Sequence, residues 1–239
     1  MARVRADVLL VARGLVESRA KARAAIEAGG VVADGVVLAK PSDLVREDAA
    51  LEVTPPHPWV SRGGVKLAAA LDAFGVDPAG RVCLDVGAST GGFTDVLRTR
   101  GAAKVYAVDV GSGQLHAKLR DDPGVVSLEK TDARTLTRQL ITDAPSLIVC
   151  DVSFIGATKA LAVPLALAAE HADLVALIKP QFEAGPGKGG VLDEAIAREA
   201  AARTIAALDG VEGFRAVAVR DSPIRGGDGN LELLLHARR

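Results

Sequence analysis

The stretch RVCLDVGASTGGFTD, at residues 81–95, constrains the fold of this chain more than any other. Branched apolar residues come first, a cluster of Gly, Ser and Thr follows, and a helical pattern begins near Gly92. This order predicts a strand, a tight turn and a helix. Gly87, Gly91 and Gly92 have no Cβ, so a ligand could approach the backbone closely, and the free N–H groups at the helix start would face it. We therefore expect a ligand site at the carboxyl end of this strand, with a purely structural turn as the alternative.

The spacing of the glycines separates two classes of ligand. A dinucleotide site needs the pattern G-x-G-x-x-G, whereas this turn reads D-x-G-x-x-x-G-G, with Asp85 before the first Gly and Ser89 where the second would be. A carboxylate at the end of a buried strand is costly without a partner, and it favours a cationic, amino-acid-like ligand over a diphosphate. This pattern is typical of the S-adenosylmethionine turn of Rossmann-like methyltransferases. The candidate cofactor contacts in the turn are Asp85, Gly87, Ser89, Thr90, Gly91, Gly92 and Phe93.

Strand and helix patterns alternate from residue 61 onward, which predicts an α/β domain of the Rossmann-like methyltransferase class. Its sheet should be mostly parallel, with an antiparallel last strand that follows a Gly-rich hairpin. Charged residues stand where four of the strands end, and the carboxyl ends of parallel strands share one edge. Asp109 is placed to accept hydrogen bonds from ribose hydroxyls, and Asp132 could meet the adenine amino group. The residues expected at this edge are Asp85, Asp109, Asp132, Asp151 and Lys179.

The first 53 residues are predicted to form a separate α+β unit of two helices and a hairpin. Ser18 is a candidate helix N-cap, and Asp34-Gly35 between two Val-rich runs is a strong hairpin signal. Basic residues outnumber acidic ones in the helical part, although such a run is often only a solvated face. Because the net charge of the chain is −1, any attraction to nucleic acid has to be local. The candidate RNA contacts here are Arg3, Arg5, Arg19, Lys21 and Arg23.

At 239 residues, the chain exceeds the usual domain length of about 100 to 150 residues. We predict an RNA-binding domain at 1–53, a Pro-rich connector at 54–60 and a catalytic domain at 61–239. The two cysteines lie in apolar runs, which fits a reducing compartment. No signal-peptide pattern or apolar run of about 20 residues is present, and the four histidines are scattered without ligand spacing. We expect a cytoplasmic protein that uses no metal and does not enter a membrane.

The pair Asp151 and Lys179 indicates the chemistry of the methyl acceptor, although a structural ion pair is the alternative. Methylation of a hydroxyl requires a group that orients and deprotonates the oxygen, and a lysine positioned by a carboxylate can do this. Methylation of a base amino group usually uses Asp/Asn-Pro-Pro-Tyr, but the sequence here is Asp-Val-Ser-Phe. Methylation of a pyrimidine carbon needs a cysteine, and strand alternation turns Cys150 to the opposite face.

Six segments of the chain together resemble the TlyA-type haemolysin A family of ribosomal RNA ribose methyltransferases, whose catalytic domain is like that of FtsJ. They are SRGGVKL, LDVGASTGGFTDVL, DVGSGQLHAKLR, CDVSFI, LIKPQFE and GNLELLLH. The order of helix, basic helix and hairpin in residues 3–53 resembles the RNA-binding domain of ribosomal protein S4. The resemblance implies methyl transfer from S-adenosylmethionine to a cytidine 2′-oxygen of 16S or 23S ribosomal RNA, with ribosomal RNA or subunits as partner. It also implies a catalytic tetrad at Lys66, Asp151, Lys179 and Glu232, with Lys179 as base.

Two further basic residues are candidate phosphate contacts. Lys188 lies in EAGPGKGG, which lacks the Ser or Thr of a nucleotide-binding phosphate loop, and Arg225 lies in the last hairpin. Two other functions stay open at this point. One is a methyltransferase of the same fold that acts on a small molecule, and the other is an RNA-binding or membrane-lytic protein without enzymatic activity.

Overall fold

The chain separates into two compact units, residues 1–58 and 59–239. The computed structural model describes residues 2–183 and 190–239, so Lys188 lies outside the described residues. Each unit has hydrophobic clusters of its own. The connector predicted at residues 54–60 stays a prediction.

The N-terminal unit consists of two short helices and two small sheets. The Ser18 side chain accepts a hydrogen bond from the Lys21 N–H at 3.3 Å and so caps the second helix. The predicted hairpin is present, because Asp34 and Gly35 both have positive φ, at 49° and 80°, as a two-residue hairpin turn requires. The elements are β1 (Arg3–Arg5), α1 (Ala6–Ala12), α2 (Arg19–Glu27), β2 (Val31–Ala33), β3 (Val36–Val37), β4 (Leu44–Arg46) and β5 (Leu51–Val53).

The C-terminal unit is an α/β fold around one seven-stranded sheet. Its strands are rich in Val, Leu and Ile because both faces of a parallel sheet are covered; all four residues of the strand at Leu147–Cys150 are fully buried. The elements are α3 (Arg62–Phe74), β6 (Val82–Val86), α4 (Gly92–Thr99), β7 (Lys104–Val108), α5 (Ala117–Arg120), β8 (Val125–Leu128), β9 (Leu147–Cys150), α6 (Ala157–Ala166), β10 (Asp173–Ile178), α7 (Pro180–Glu183), α8 (Glu194–Leu208), β11 (Arg215–Asp221) and β12 (Leu233–Arg238).

The order of strands across the sheet is β11-β12-β10-β9-β6-β7-β8. The strand order reverses at β6: β7 and β8 follow on one side of it, and β9 and β10 lie on the other. Ligands of open α/β sheets bind at such a reversal, outside the carboxyl ends of the strands. The turn after β6 lies at this reversal.

β12 runs antiparallel to both of its neighbours, β10 and β11, and all other pairs in the sheet are parallel. The predicted fold class, a mostly parallel sheet with an antiparallel last strand, is confirmed. Ile178 at the end of β10 pairs with Leu233 at the start of β12. Continuing this register by one residue places Lys179 opposite Glu232, which precedes β12. The antiparallel strand thus brings Glu232 to the edge where the parallel strands end.

The described helices are short. The longest, α8, has 15 residues, and within residues 2–183 and 190–239 no helix is both long and apolar enough to cross a bilayer.

Candidate active site

A cleft of about 480 Å³ lies over the carboxyl ends of β6, β7 and β9. Its volume is within the range of roughly 300 to 1,000 Å³ that is usual for small-molecule sites. Five of the residues predicted to contact a cofactor line it: Gly87, Ser89, Asp109, Asp132 and Asp151. The walls also include Gln114, Arg134, Ser153 and Phe154, which were not predicted.

A smaller recess of about 160 Å³ adjoins the cleft. Thr90, Gly92 and Phe93 line it, together with Lys179 and with Ser61 and Gly63 near the start of α3. The cleft and the recess share four residues: Gly87, Ser89, Asp151 and Ser153. The site therefore offers two connected spaces, and Lys179 stands in the smaller one.

The glycines of the turn are required by the protein's own packing. Gly87 and Gly91 have φ of +86° and +96°, a conformation that is costly for residues with a side chain. A Cβ on Gly87 would lie 2.8 Å from the Asp151 carbonyl oxygen, and one on Gly91 or Gly92 would collide with Leu119 or with the Ser61 hydroxyl. The sequence analysis explained these glycines by the room they leave for a ligand and did not predict that neighbouring protein atoms also exclude a side chain there. Gly91 lines neither space.

Asp85 lies beneath the turn, and it lines neither the cleft nor the recess. It is fully buried, and its Oδ2 accepts a hydrogen bond from the Thr94 hydroxyl at 2.6 Å. Within the described part of the chain, its Oδ1 has no hydrogen-bond partner. Burial raises the pKa of Asp85 to about 7. The Thr94 hydrogen bond acts in the opposite direction and lowers this pKa, whereas the negative charge of Asp151 raises it further. A cation bound nearby would favour the ionised form of this carboxyl.

Asp109 joins the turn after β6 to the loop after β7. Its two carboxylate oxygens accept hydrogen bonds from the backbone N–H groups of Ser89 and Gly111, both at 2.7 Å. The loop itself is held by Glu129, whose carboxylate accepts from the N–H groups of Gly113, Gln114 and Leu115. These hydrogen bonds, that of Gly113 first, lower the pKa of Glu129. The wall of the cleft on this side is therefore ordered before any ligand binds.

Asp132 is already engaged by a neighbour. The Arg134 guanidinium and backbone N–H both bind its carboxylate, with the shortest contact at 2.6 Å, and the side-chain hydrogen bond lowers the pKa of Asp132 to about 2. Asp132 is thus ionised and oriented at the cleft wall. The sequence prediction named Asp132 but not Arg134, although the two stand only two positions apart.

The four charged residues of the proposed tetrad form two ion pairs, Lys179 with Asp151 and Lys66 with Glu232. The Lys179 ammonium lies 2.6 Å from Asp151 Oδ1 and donates a hydrogen bond to Ser153 Oγ at 2.9 Å. The Lys66 ammonium contacts Glu232 Oε2, and both of these residues are buried, at 8% and 3% exposure. Buried charges of this kind persist only when paired.

The start of α3 links the two pairs. A Cβ on Gly63 would lie 3.6 Å from Asp151 Oδ2, so the first turn of the helix passes beside that carboxylate. Lys66 follows one turn later on the same helix face. Lys66 and Glu232 line neither the cleft nor the recess, so any effect they have on bound groups acts through their neighbours.

Phe154 stands at the rim of the cleft with 92% of its surface exposed. Its φ is +68°, which is rare for a residue with a bulky side chain. Its ring packs against Phe182, with centroids 5.3 Å apart and planes inclined at 52°. A large apolar side chain held in this way beside a cleft is a candidate contact for a planar ligand.

The five candidate RNA contacts of the N-terminal unit fall into three groups. Arg5 and Arg19 both bind the fully buried Asp7, at 3.0 and 2.7 Å, and these hydrogen bonds, that of Arg5 first, lower the pKa of Asp7 to about 2. Lys21 forms an exposed ion pair with Glu17. Arg3 and Arg23 are exposed.

Arg225 in the C-terminal unit is also exposed, and its guanidinium lies 3.6 Å from Glu194.

No group of three His, Cys, Asp or Glu side chains in the described ranges is arranged to hold a metal ion.

Comparison with known proteins identifies the family. The FtsJ-like methyltransferase model matches residues 59–239, and the S4 domain model matches residues 4–51. The chain is 46% identical to the "16S/23S rRNA (cytidine-2'-O)-methyltransferase TlyA" of Mycobacterium tuberculosis, over 99% of this chain and 90% of that protein. It is 41% identical to "Hemolysin A" of Brachyspira hyodysenteriae, over 98% and 99%.

A solved structure titled "Putative hemolysin from Streptococcus thermophilus" is 38% identical to the chain and superposes with a TM-score of 0.77, covering 100% of this chain and 89% of that one. The chain therefore belongs to the FtsJ-like methyltransferase family, in the group that contains the TlyA and hemolysin A proteins and carries an N-terminal S4 domain.

Proposed function

We propose that this methyltransferase transfers the methyl group of S-adenosylmethionine to the 2′-hydroxyl of a cytidine in ribosomal RNA, with Lys179 as the base. The observation that carries the proposal is the position of Lys179. Its ammonium stands in the smaller recess, paired with Asp151, where the recess adjoins the larger cleft. One space is suited to the cofactor and the other to the acceptor hydroxyl.

The residues of the cleft fit S-adenosylmethionine. Three carboxylates, Asp85, Asp109 and Asp151, surround the turn after β6, and the buried Asp85 oxygen without a partner is the kind of group that a cation compensates. Asp109 would accept from the ribose hydroxyls and Asp132 from the adenine amino group, since each oxygen has a second lone pair. The cofactor supplies an electrophilic methyl group on a positively charged sulfur.

The acceptor hydroxyl must lose its proton as its oxygen attacks the methyl carbon. In the proposed reaction the C–O bond forms as the C–S bond breaks, and the neutral amine of Lys179 takes the 2′-hydroxyl proton. S-adenosylhomocysteine is then the second product. Asp151 orients Lys179 and stabilises the ammonium that results. The Lys66–Glu232 pair supports this arrangement from α3 and the start of β12.

Support for an RNA acceptor comes from both units. The Mycobacterium tuberculosis relative is named for methylation of 16S and 23S ribosomal RNA at cytidine, and S4-type domains present basic surfaces to structured RNA by phosphate and shape contacts. Phe154 and Phe182 form an exposed aromatic surface at the cleft, on which an unstacked base could lie. Arg3, Arg23 and Arg225 are proposed phosphate contacts. Such a substrate would place the protein in the cytoplasm with the ribosome.

Replacement of the base tests the proposal. Lys179→Ala should lower the rate of methyl transfer to ribosomal subunits by about 10²- to 10⁴-fold, which is the usual contribution of a general base. Affinity for S-adenosylmethionine, measured by calorimetry, should stay within about threefold, because most of the cleft wall is untouched. Lys104→Ala is the matched control, because Lys104 lies at the amino end of β7 and pairs with Asp143. Turnover of Lys179→Ala at the level of Lys104→Ala would rule out Lys179 as base.

A further inference from the structure

Ser153 connects the proposed base to both spaces of the site. Its hydroxyl oxygen accepts a hydrogen bond from the Lys179 ammonium at 2.9 Å. It is also one of the four residues that line the cleft and the recess together. Asp151, two positions earlier, holds the same ammonium from another direction at 2.6 Å. Lys179 is therefore held by one charged and one neutral oxygen.

The segment that carries Ser153 is anchored at both ends. The Asp151 N–H donates to the Val86 carbonyl at 3.0 Å, and the Ala157 N–H, at the start of α6, donates to the Glu183 carboxylate at 2.7 Å. Between these points Phe154 is held with positive φ against Phe182. The anchored segment fixes the backbone at Ser153, and the hydrogen bond from Lys179 orients the exposed hydroxyl.

We propose that Ser153 is a positioning residue for Lys179, and that it fixes the amine at the boundary between the cofactor cleft and the acceptor recess. This inference rests on the proposed function, in which Lys179 is the base. A serine hydroxyl has one donor and two acceptor sites. Since Lys179 uses an acceptor site, the Ser153 hydrogen remains available to an oxygen of the bound acceptor.

The hydrogen bond has a predictable effect on the placement of Lys179. Ser153 Oγ accepts from the Lys179 ammonium at 2.9 Å, so its removal leaves the amine held by Asp151 without this second contact. Among the described residues, the charged groups near Lys179 are Asp151, at the end of the neighbouring strand, and Glu232, which the register of β10 and β12 places opposite it and which pairs with Lys66. The Cys150 thiol adds no charge, because burial raises its pKa to about 12.

The test compares Ser153→Ala and Ser153→Thr with the wild type and with Ser127→Ala, whose serine is exposed on β8. The rate of methyl transfer is measured between about pH 6 and about pH 10 at saturating substrates. For Ser153→Ala we expect a plateau about tenfold lower, because the amine is less well placed. The KM for S-adenosylmethionine should stay within about twofold.

Ser153→Thr keeps the hydroxyl and should restore the plateau. The rate at which an amine-reactive reagent acylates Lys179, read by mass spectrometry without any substrate, should rise in Ser153→Ala, because the amine has lost one of its hydrogen-bond partners, and should return to the wild-type rate in Ser153→Thr. An unchanged plateau or an unchanged acylation rate in Ser153→Ala, or a threonine variant as defective as the alanine variant, would overturn the inference. The acylation result does not depend on the identity of the acceptor. A wild-type protein that fails to methylate RNA would therefore contradict only the proposed function.

Discussion

Replacement of Asp85 by Asn should make the protein more stable at neutral pH, although Asp85 lies directly beneath the turn after β6. Asp85 is fully buried, its Oδ2 accepts a hydrogen bond from the Thr94 hydroxyl, and its Oδ1 has no partner among the described residues. Burial raises its pKa from 3.8 to about 7. Between these two values the folded protein keeps a proton that the unfolded chain releases. Rising pH therefore lowers the free energy of unfolding of the wild type.

The size of this effect follows from the shift. One pKa unit corresponds to about 1.4 kcal/mol, so ionisation of Asp85 removes roughly 4 kcal/mol of stability by pH 8. Roughly 2 kcal/mol of that is already lost at about pH 5. Asn cannot ionise, and its amide oxygen can accept the Thr94 hydrogen bond. The stability of Asp85→Asn relative to the wild type should therefore increase by between about 2 and about 3 kcal/mol from pH 5 to pH 8. Contributions that do not depend on pH cancel in this comparison.

The assay measures unfolding of the chain in urea at both pH values, and the fluorescence of Trp59 reports the unfolded fraction. This is the only tryptophan, and it packs against the core of the C-terminal unit. Asp121→Asn, at an exposed carboxylate on the same unit, is the matched control and should show no such change with pH. If the stability of Asp85→Asn relative to the wild type is the same at pH 5 and pH 8, or falls between them, the interpretation that burial disfavours the ionised Asp85 carboxylate is refuted. The same variant should bind S-adenosylmethionine less tightly, because a negative charge near the cation is lost.

Two other substitutions test the remaining features of the structure. Asp7→Asn should destabilise the N-terminal unit at neutral pH, as calorimetry can measure. The difference from the wild type should disappear as pH falls from about 4 to about 2, because the Arg5 and Arg19 hydrogen bonds hold the pKa of Asp7 at about 2. Phe154→Ala should reduce kcat/KM for ribosomal subunits by about 10- to 100-fold, the range expected when one stacked base is lost. Its affinity for S-adenosylmethionine should stay within about threefold, and an equal loss in both measurements would contradict a contact with the acceptor.

The order of elements and the location of the site could be predicted from the sequence because both depend on local patterns. Apolar runs ended by Asp or Lys mark strands that reach one edge of a parallel sheet. This rule brought Asp151 and Lys179 together although they are far apart in the chain. The antiparallel last strand followed from its Gly-rich hairpin.

The partners of the polar side chains could not be predicted in the same way. Glu129 orders the loop after β7 and Asp7 binds two arginines, but both residues read in the sequence only as ordinary surface charges. Phe154 is exposed and its backbone adopts positive φ, and neither property is predicted by a local sequence pattern. Ser153 contacts Lys179 only because the fold places the ends of β9 and β10 side by side. Such contacts depend on tertiary packing, which selects among many polar residues of similar type.

The most direct test of the proposed function is to identify the methylated nucleoside. Separated 30S and 50S subunits that lack the modification are incubated with the protein and isotopically labelled S-adenosylmethionine, and the RNA is digested to nucleosides and analysed by mass spectrometry. We predict label in 2′-O-methylcytidine, and label that accumulates at least about 100-fold more slowly when Lys179→Ala replaces the wild-type protein. Label on a nucleobase, or no transfer to either subunit from a protein that binds the cofactor, would contradict the account.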